Sequence, residues 1–412
     1  MRKLLQINPV VRTNTSTGRI MQEIGELAAD SGWESHIAYS YGRDGFKPCA
    51  SNLLPVGNKW SVAAHGVATR LFDRHGLASN RATRAFIERL STLKPDIIHL
   101  HNIHGYFLNY KILFDYLKRS EVPVVWTIHD CWAYTGHCYY YSFIGCNRWQ
   151  TGCGRCPQKK EFPASYVFDR SRRNYKDKRA AFTSIPKDRL TIVPVSQWIK
   201  REIQQSFLGK YDMRVIHNGI NTDVFDLCDA EPVRRRYNLG NKRIFLGVAS
   251  IWSQEKGLYD FLRLSDMLDE NEIIVLVGVD AHLRKRLPHN IVGITRTQDV
   301  HQLAELYSAA TVFINPTWQD NYPTVNLEAI ACGTPVITYR TGGSVEAVTK
   351  DTGVIVEQGD IDGLLRAART IAARGKEVYR EVCRRYALEN FRKQDCYAEY
   401  IDLYNSLAHK SF

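Results

Sequence analysis

The sequence predicts an α/β protein made of two doubly wound parallel sheets, one in each half of the chain. Three observations predict it. Short apolar, β-branched runs alternate with helix-patterned segments, as strands joined by crossover helices do. The 412 residues exceed what one ordinary core organises, so two domains are expected. Strand character also stops after residue 225, where the polar segment "DLCDAEPVRRRYNLGNKR" begins. The expected units are therefore 1–225 and 226–390, followed by a helix over 391–412 that packs back on the first unit.

In the first half, strands are expected at 3–11, 34–40, 96–102, 123–130, 190–196 and 214–219. In the second, they are expected at 243–250, 272–279, 290–295, 311–317, 335–339 and 353–358. Each set suffices for a doubly wound sheet of its own. The opening "MRKLLQINPVV" has a basic tip, but Gln6 and Asn8 break its apolar run. It therefore reads as a first strand and not as a signal peptide. A helical pattern from about 376 to 410 carries Tyr379, Tyr386, Phe391, Tyr397, Tyr400 and Tyr404, which need a surface to bury against.

Composition is that of a soluble globular protein, 44% hydrophobic and 24% charged. No run approaches the roughly 18 to 20 apolar residues of a spanning helix, so a cytoplasmic location is expected. The net charge of +12 is one-sided. Residues 1–225 carry 32 Lys/Arg against 18 Asp/Glu, while 226–412 carry 23 against 25. The densest part, 151–200, has 12 basic and 4 acidic residues. That asymmetry fits an anionic partner: membrane surface, phosphate-bearing lipid or nucleic acid. A solvated basic helix is the plain alternative.

Ligands of doubly wound sheets sit outside the carboxyl ends of strands, so the loops that follow strands carry the chemistry. After the first strand, "NTSTGRIMQEIGELAADSG" places Gly18 and Arg19 at a helix start, where free amides attract phosphate. In "WTIHDCWAYTGHC", His129 and Asp130 stand where a buried strand ends. His129 can meet a phosphate or sugar oxygen or move a proton, unless Asp130 merely satisfies it. In "GVASIWSQEKGLYDFL", Lys256 precedes a helix and can neutralise a diphosphate. The fourth loop, "TWQDNYPTVNLEAIACGTPVI", sets Asp320 before a helix that opens at Thr324 and Val325 and carries Glu328. Its amides suit a phosphate, Glu328 a vicinal diol, and Asp320 a sugar hydroxyl. Acids near a helix start are also favoured by the helix dipole alone. Asp360 and Asp362 form an Asp-x-Asp pair, but in a late polar turn ill placed for a metal.

Four of the ten cysteines fall within 135–158 of the insertion 131–160: Cys138, Cys146, Cys153 and Cys156, the last two as a C-x2-C knuckle. Four thiolates at such spacing suit a structural zinc. Disulfides, disfavoured in a reducing compartment, and free thiols are the alternatives. His137 is a substitute ligand.

Taken together, these motifs resemble the retaining nucleotide-sugar glycosyltransferases of family 4, which have the GT-B fold. The segment "NPTWQDNYPTVNLEAIACGTPVITYRTGGSVEAV" (315–348) is similar to that family's acid-x7-acid segment, its following helix and its Gly-Gly turn. "VIHNGINTDVF" (215–225) and "DVHQLAELYSAATVFINP" (299–316) resemble two further family elements. The resemblance implies two Rossmann-like domains facing across a cleft. The first would bind the acceptor and the second the nucleotide sugar. It implies that Glu328 binds the ribose, Asp320 contacts the donor sugar, and the amides near Thr324 and Val325 hold the diphosphate with Lys256. Gly18 would approach the diphosphate, and His129 would touch the sugar and leaving phosphate.

Here Asp320 replaces the usual Glu, Asn321 and Tyr322 replace the usual Gly-Phe, and "ASIW" (249–252) lacks the usual Arg. Asn321 and Tyr322 are thus expected beside the donor, with Arg296 a stand-in for the missing Arg. No cofactor is implied for catalysis. The implied donor is a UDP-sugar, or next a GDP-sugar. The implied acceptor is a polyprenyl-diphosphate-linked glycan of bacterial exopolysaccharide, capsule or O-antigen assembly. That acceptor would hold the enzyme peripherally at the inner face of the cytoplasmic membrane. Rival readings are a GT-B epimerase or phosphorylase and a zinc-containing nucleic-acid-binding protein. No nucleic-acid partner is expected, because the basic residues form no known reading motif.

Overall fold

The computed structural model describes residues 1–11, 15–42 and 49–409. Asn14 of the first loop and the last three residues of the expected 391–412 helix lie outside them. The chain forms two compact units, one of residues 1–217 with 397–412 and one of residues 218–396.

Among the described residues the first unit contains seven strands: β1 (Arg2–Ile7), β2 (Trp33–Ser40), β3 (Asn52–Val56), β4 (Ile97–Leu100), β5 (Val124–Ile128), β6 (Leu190–Pro194) and β7 (Asp212–Met213). They pair in parallel in the order β3-β2-β1-β4-β5-β6-β7. The winding direction reverses between β1 and β4, which marks the ligand crevice of such a sheet. Central strands β4 and β5 are buried along their whole length, as parallel strands covered on both faces must be. Helix Ser16–Asp30 covers one face through Ile20, Met21, Ile24 and Ala28, spaced at three and four residues.

Strand β3 was not expected. It is a short edge strand with Asn52 and Pro55 exposed and only Val56 buried, and its Pro55 argues against a strand in the sequence. The strand expected at 214–219 is replaced by the short β7 just before it. A Cβ on Gly219 would lie 2.6 Å from the Cα of Lys393, so the chain here turns to meet that backbone instead of the sheet.

The second unit contains β8 (Arg243–Val248), β9 (Glu272–Val277), β10 (Ile291–Ile294), β11 (Val312–Asn315), β12 (Val336–Tyr339) and β13 (Gly353–Val356). These are the six expected strands, most ending slightly sooner. They run parallel in the order β10-β9-β8-β11-β12-β13, with the reversal between β8 and β11.

The helical pattern expected over 376–410 is two helices, Glu377–Asn390 and Lys393–Ala408. The break at Phe391 and Arg392 is closed by Ile220, whose amide donates to Phe391 O at 2.8 Å and whose carbonyl accepts from Lys393 N at 3.0 Å. The tyrosines of the last helix find their burial inside the first unit. The Tyr404 hydroxyl meets His99 Nδ1 at 2.6 Å, and the Tyr400 hydroxyl meets Thr127 Oγ1 at 3.0 Å.

Candidate active site

In the second unit the loops leaving β8 and β11 flank the switch point, and the expected binding residues lie on them. Gly257 ends the first loop with φ +78°, and a Cβ there would sit 2.3 Å from Pro316 O. Only glycine allows this crossing of two backbones. Trp318 N donates to Glu255 O at 2.8 Å and fixes the crossing further along. Lys256 is thereby delivered to Asp320, with Nζ 2.6 Å from Oδ2. The two were expected to serve separate parts of a donor, yet in the structure they are ion-paired with each other. The other oxygen of Asp320 accepts from the Asn321 amide at 2.9 Å.

Helix Thr324–Ala331 begins after Pro323, which makes no side-chain cap. Thr324 and Val325 open it and are partly exposed. Glu328 is 4% exposed and accepts from the Tyr307 hydroxyl at 3.1 Å. Asn321 and Tyr322, expected beside the donor, are 3% and 6% exposed, which leaves their side chains little surface for a ligand. Burial pushes the Tyr322 phenol well up, so it stays neutral. Arg296 is exposed beyond the edge strand β10, two strands from β8. Among the described residues no ion pair ties it to the Lys256 loop.

Several residues that shape this corner were missed. Asn326 accepts from Asn315 Nδ2 at 2.8 Å and donates to Ser344 O at 3.0 Å, while Thr338 Oγ1 meets Ser344 Oγ at 2.7 Å. This network ties the end of β11, the helix and the Gly-Gly turn together. Asp260 receives Trp318 Nε1 at 2.8 Å and Tyr339 OH at 3.0 Å. An Asp on the same helical face as Phe261 and Leu264 was the available sequence signal for it.

In the first unit Gly18 and Arg19 do not open their helix. It starts at Ser16, and they complete its first turn, with Arg19 N donating to Thr15 O. His129 follows β5, and its Nε2 lies 3.1 Å from His101 Nδ1. Asp130 instead binds His104 Nε2 at 2.8 Å and the Trp132 amide at 2.9 Å. Burial raises the Asp130 carboxyl, but the His104 contact more than offsets this and leaves it below its usual value.

Burial brings His129 down to about 4, against an upward pull from Asp130, and holds His101 and His99 well below the usual imidazole value. All three are neutral at pH 7, so each ring has one donor and one acceptor. Gln6 Nε2 donates to Met21 O at 2.9 Å, so its oxygen faces His101 Nε2 at 3.0 Å. That nitrogen of His101 therefore donates, and its Nδ1 accepts from His129 Nε2.

All ten cysteines are free thiols. Cys138, Cys146, Cys153 and Cys156 line one cavity of about 20 Å³ with His137. As placed, no group of three or more His, Cys, Asp or Glu side chains able to hold a metal ion is present among the described residues.

Two doubly wound units in one chain, the second with a cation, two acids and a helix start at its switch point, define a glycosyltransferase of the GT-B fold. The first unit matches the family model described as Glycosyltransferase Family 4 over residues 17–224. The second matches Glycosyl transferases group 1 over residues 242–374. The chain belongs to Glycosyltransferase Family 4 and is an enzyme of that kind.

It is similar to the putative colanic acid biosynthesis glycosyl transferase WcaC of Escherichia coli. The two are 25% identical over 377 residues, which cover 89% of this chain and 90% of that protein. It is also similar to the capsular polysaccharide biosynthesis glycosyltransferase CapM of Staphylococcus aureus, 24% identical over 53% of this chain and 62% of CapM. The solved sucrose-phosphate synthase of Thermosynechococcus elongatus superposes with a TM-score of 0.73 at 16% identity, covering 99% of both chains. HepE of Anabaena, solved in complex with UDP, gives 0.68 at 13% identity over 98% of this chain and all of HepE.

Proposed function

We propose that this enzyme moves a hexose, with retention, from a nucleoside diphosphate sugar to a hydroxyl of a lipid-linked glycan in bacterial surface polysaccharide assembly. The observation that carries the reading is the convergence of Lys256, Asp320, the Thr324 helix start and Glu328 at one switch point. Each meets one part of such a donor. The Glu328 carboxylate accepts both hydroxyls of the ribose. The Thr324 and Val325 amides, with the helix dipole, face the diphosphate. Lys256 exchanges its Asp320 partner for that diphosphate, which frees Asp320 for a sugar hydroxyl.

In the reaction the bond from the anomeric carbon to the phosphate oxygen breaks, and its electron pair stays on the diphosphate. Lys256 and the helix amides hold the developing charge. The acceptor oxygen bonds on the face the diphosphate leaves, and its proton passes to a phosphate oxygen. His129, neutral at pH 7, meets a hydroxyl of the sugar.

UDP is the preferred nucleotide, in keeping with HepE, which was solved with UDP and with UDP-glucose. GDP is the second choice, given a Mycobacterium tuberculosis relative named as GDP-mannose-dependent, 29% identical over 33% of this chain. The names of WcaC and CapM support the polysaccharide assignment. A thermal-shift series with UDP, GDP, ADP and their sugars tests the reading, since a ligand of the native state raises the melting point by mass action. A rise with UDP or UDP-sugars that disappears in Glu328→Gln is expected. No shift with any nucleotide overturns the reading.

A further inference from the structure

We propose that the insertion after β5 holds one zinc ion through Cys138, Cys153, Cys156 and His137, with Asp73 fixing the histidine and Cys146 on the rim. The sequence spacing suggested four cysteines. The structure points to His137 in place of Cys146.

The His137 ring is 1% exposed, and its Nδ1 is bound to Asp73 Oδ1 at 2.7 Å. Asp73 is equally buried, and its other oxygen accepts from Arg170 N at 2.8 Å. The ring is therefore locked in orientation, while its Nε2 is buried with no hydrogen-bond partner. A buried imidazole nitrogen without a partner is costly, and a lone pair oriented by a carboxylate on the opposite ring nitrogen is the usual state of a metal-bound histidine. His137 and all four thiols line the same small cavity, which is large enough for a single ion or water.

The backbone already gathers the two ligand-bearing segments. Gly136 N donates to Cys153 Sγ at 3.1 Å, the amide-to-sulfur bond that favours a thiolate. A Cβ on Gly136 would lie 2.6 Å from the Cβ of Cys153 and 2.2 Å from Ser171 O, so the His137–Cys138 turn abuts the knuckle directly. Arg155 at the knuckle tip has φ +48°, the left-handed turn that brings two thiols onto one side. Cys146 reaches the cavity from a separate turn, 141–146, closed by its amide to Tyr141 O at 3.2 Å, and with His137 in the set it is the thiol in excess of four ligands.

Three thiolates and a dication leave one negative charge. Beside the cluster, Lys178 is fully buried and donates to the carbonyls of Trp132 and Thr135 at 2.6 and 3.0 Å. Burial lowers the Lys178 ammonium to about 7, and a net negative site beside it would favour its charged, compensating form. Rotation of the thiols into the cavity is the closure that zinc requires. The ion would cross-link the two ends of the insertion, which follows His129, and through Asp73 tie it to the end of helix Lys59–Phe72.

The test is metal content, which is independent of the transferase reading. Protein purified under reducing conditions without a metal-affinity tag is expected to carry about one zinc per chain by mass spectrometry of the metal. Zinc is expected to be lost in His137→Ala and Cys156→Ser and kept in Cys146→Ser. Asp73→Asn should weaken retention against a chelator about 10- to 100-fold. Should the cysteine variants fail to fold, cobalt uptake by the unaltered chain gives the same answer: three thiolate-to-cobalt transitions' worth of absorbance supports the set, and four restores Cys146. A wild-type chain that carries no zinc and takes up neither zinc nor cobalt overturns the site. So does loss of two free thiols as a disulfide. Loss of metal in Cys146→Ser with retention in His137→Ala overturns the assignment of His137.

Discussion

The Lys256–Asp320 pair gives one residue a role that depends on the other. Both are partly exposed, so their contact contributes little to folding, of the order of 1 kcal/mol or less. Its interest lies in exchange. Asp320→Asn should free Lys256 and leave UDP affinity unchanged or slightly improved, while turnover falls at least about tenfold because a sugar contact is lost. Lys256→Ala should weaken UDP binding about tenfold or more, since a charge-assisted bond to phosphate is removed. Calorimetric titration with UDP separates the two, and equal loss of UDP affinity in both variants would defeat the exchange. Glu328 lies deeper, and Tyr307 is its structural partner. Tyr307→Phe should cost roughly threefold to tenfold in catalytic efficiency by loosening the carboxylate, against a larger loss in Glu328→Gln.

At the scale of elements, the strands of both sheets were legible because buried parallel strands read as continuous apolar runs. The two failures, β3 and the 214–219 segment, are places where exposure or a distant backbone decided the outcome. The placement of the candidate site was legible where single loops and a helix start carry it, as with Lys256, Asp320 and Glu328. It was not legible where pairing is long-range: nothing in the HD dipeptide shows that His129 turns to His101 while Asp130 turns to His104. The Asn326 network is equally invisible, since its four members are spread over 315–344.

Those histidines make the first unit acid-sensitive. His65 is brought to about 3 by burial, His129 to about 4, and His75, His99 and His101 well below normal. His65 Nε2 and His75 Nε2 each accept a backbone amide, from Gly76 and Gly105, and protonation would break both bonds. In the unfolded chain each titrates near 6.5. Below that pH the unfolded state binds more protons, so their contribution is complete above about 6.5 and is lost as pH falls towards 4. Each should cost of the order of 1 kcal/mol by pH 5.5. A clear drop in urea midpoint between pH 7.5 and 5.5 is expected, made shallower by His99→Gln. A midpoint indifferent to pH would contradict these burial effects.

Across the whole molecule, charge and exposed apolar surface coincide on the first unit. No helix among the described residues is long and apolar enough to cross a membrane. Helix Lys59–Phe72 nevertheless exposes Trp60, Val67, Leu71 and Phe72, and the 166–168 segment beside it exposes Tyr166, Val167 and Phe168. The two join at Phe168 N to Leu71 O, 3.2 Å, and through stacked rings of Phe72 and Phe168, 5.7 Å apart. Arg170, Arg172, Arg173 and Lys176 follow directly and line a shallow surface hollow.

Aromatics flanked by cations are what an interfacial surface needs: the rings enter the headgroup layer and each cation adds about 1 kcal/mol on anionic lipid. The chain should therefore co-sediment with phosphatidylglycerol vesicles and not with phosphatidylcholine. Binding should weaken as salt shrinks the Debye length from about 10 Å towards 3 Å. Arg172→Glu with Lys176→Glu should cost at least about tenfold in vesicle affinity. Val167→Ser with Phe168→Ser should also weaken binding, and what binding remains should be more sensitive to salt, because only the electrostatic part would be left. Vesicle binding that ignores lipid charge, salt and both double variants would remove the membrane from this enzyme's partners and leave the basic half as solvated surface.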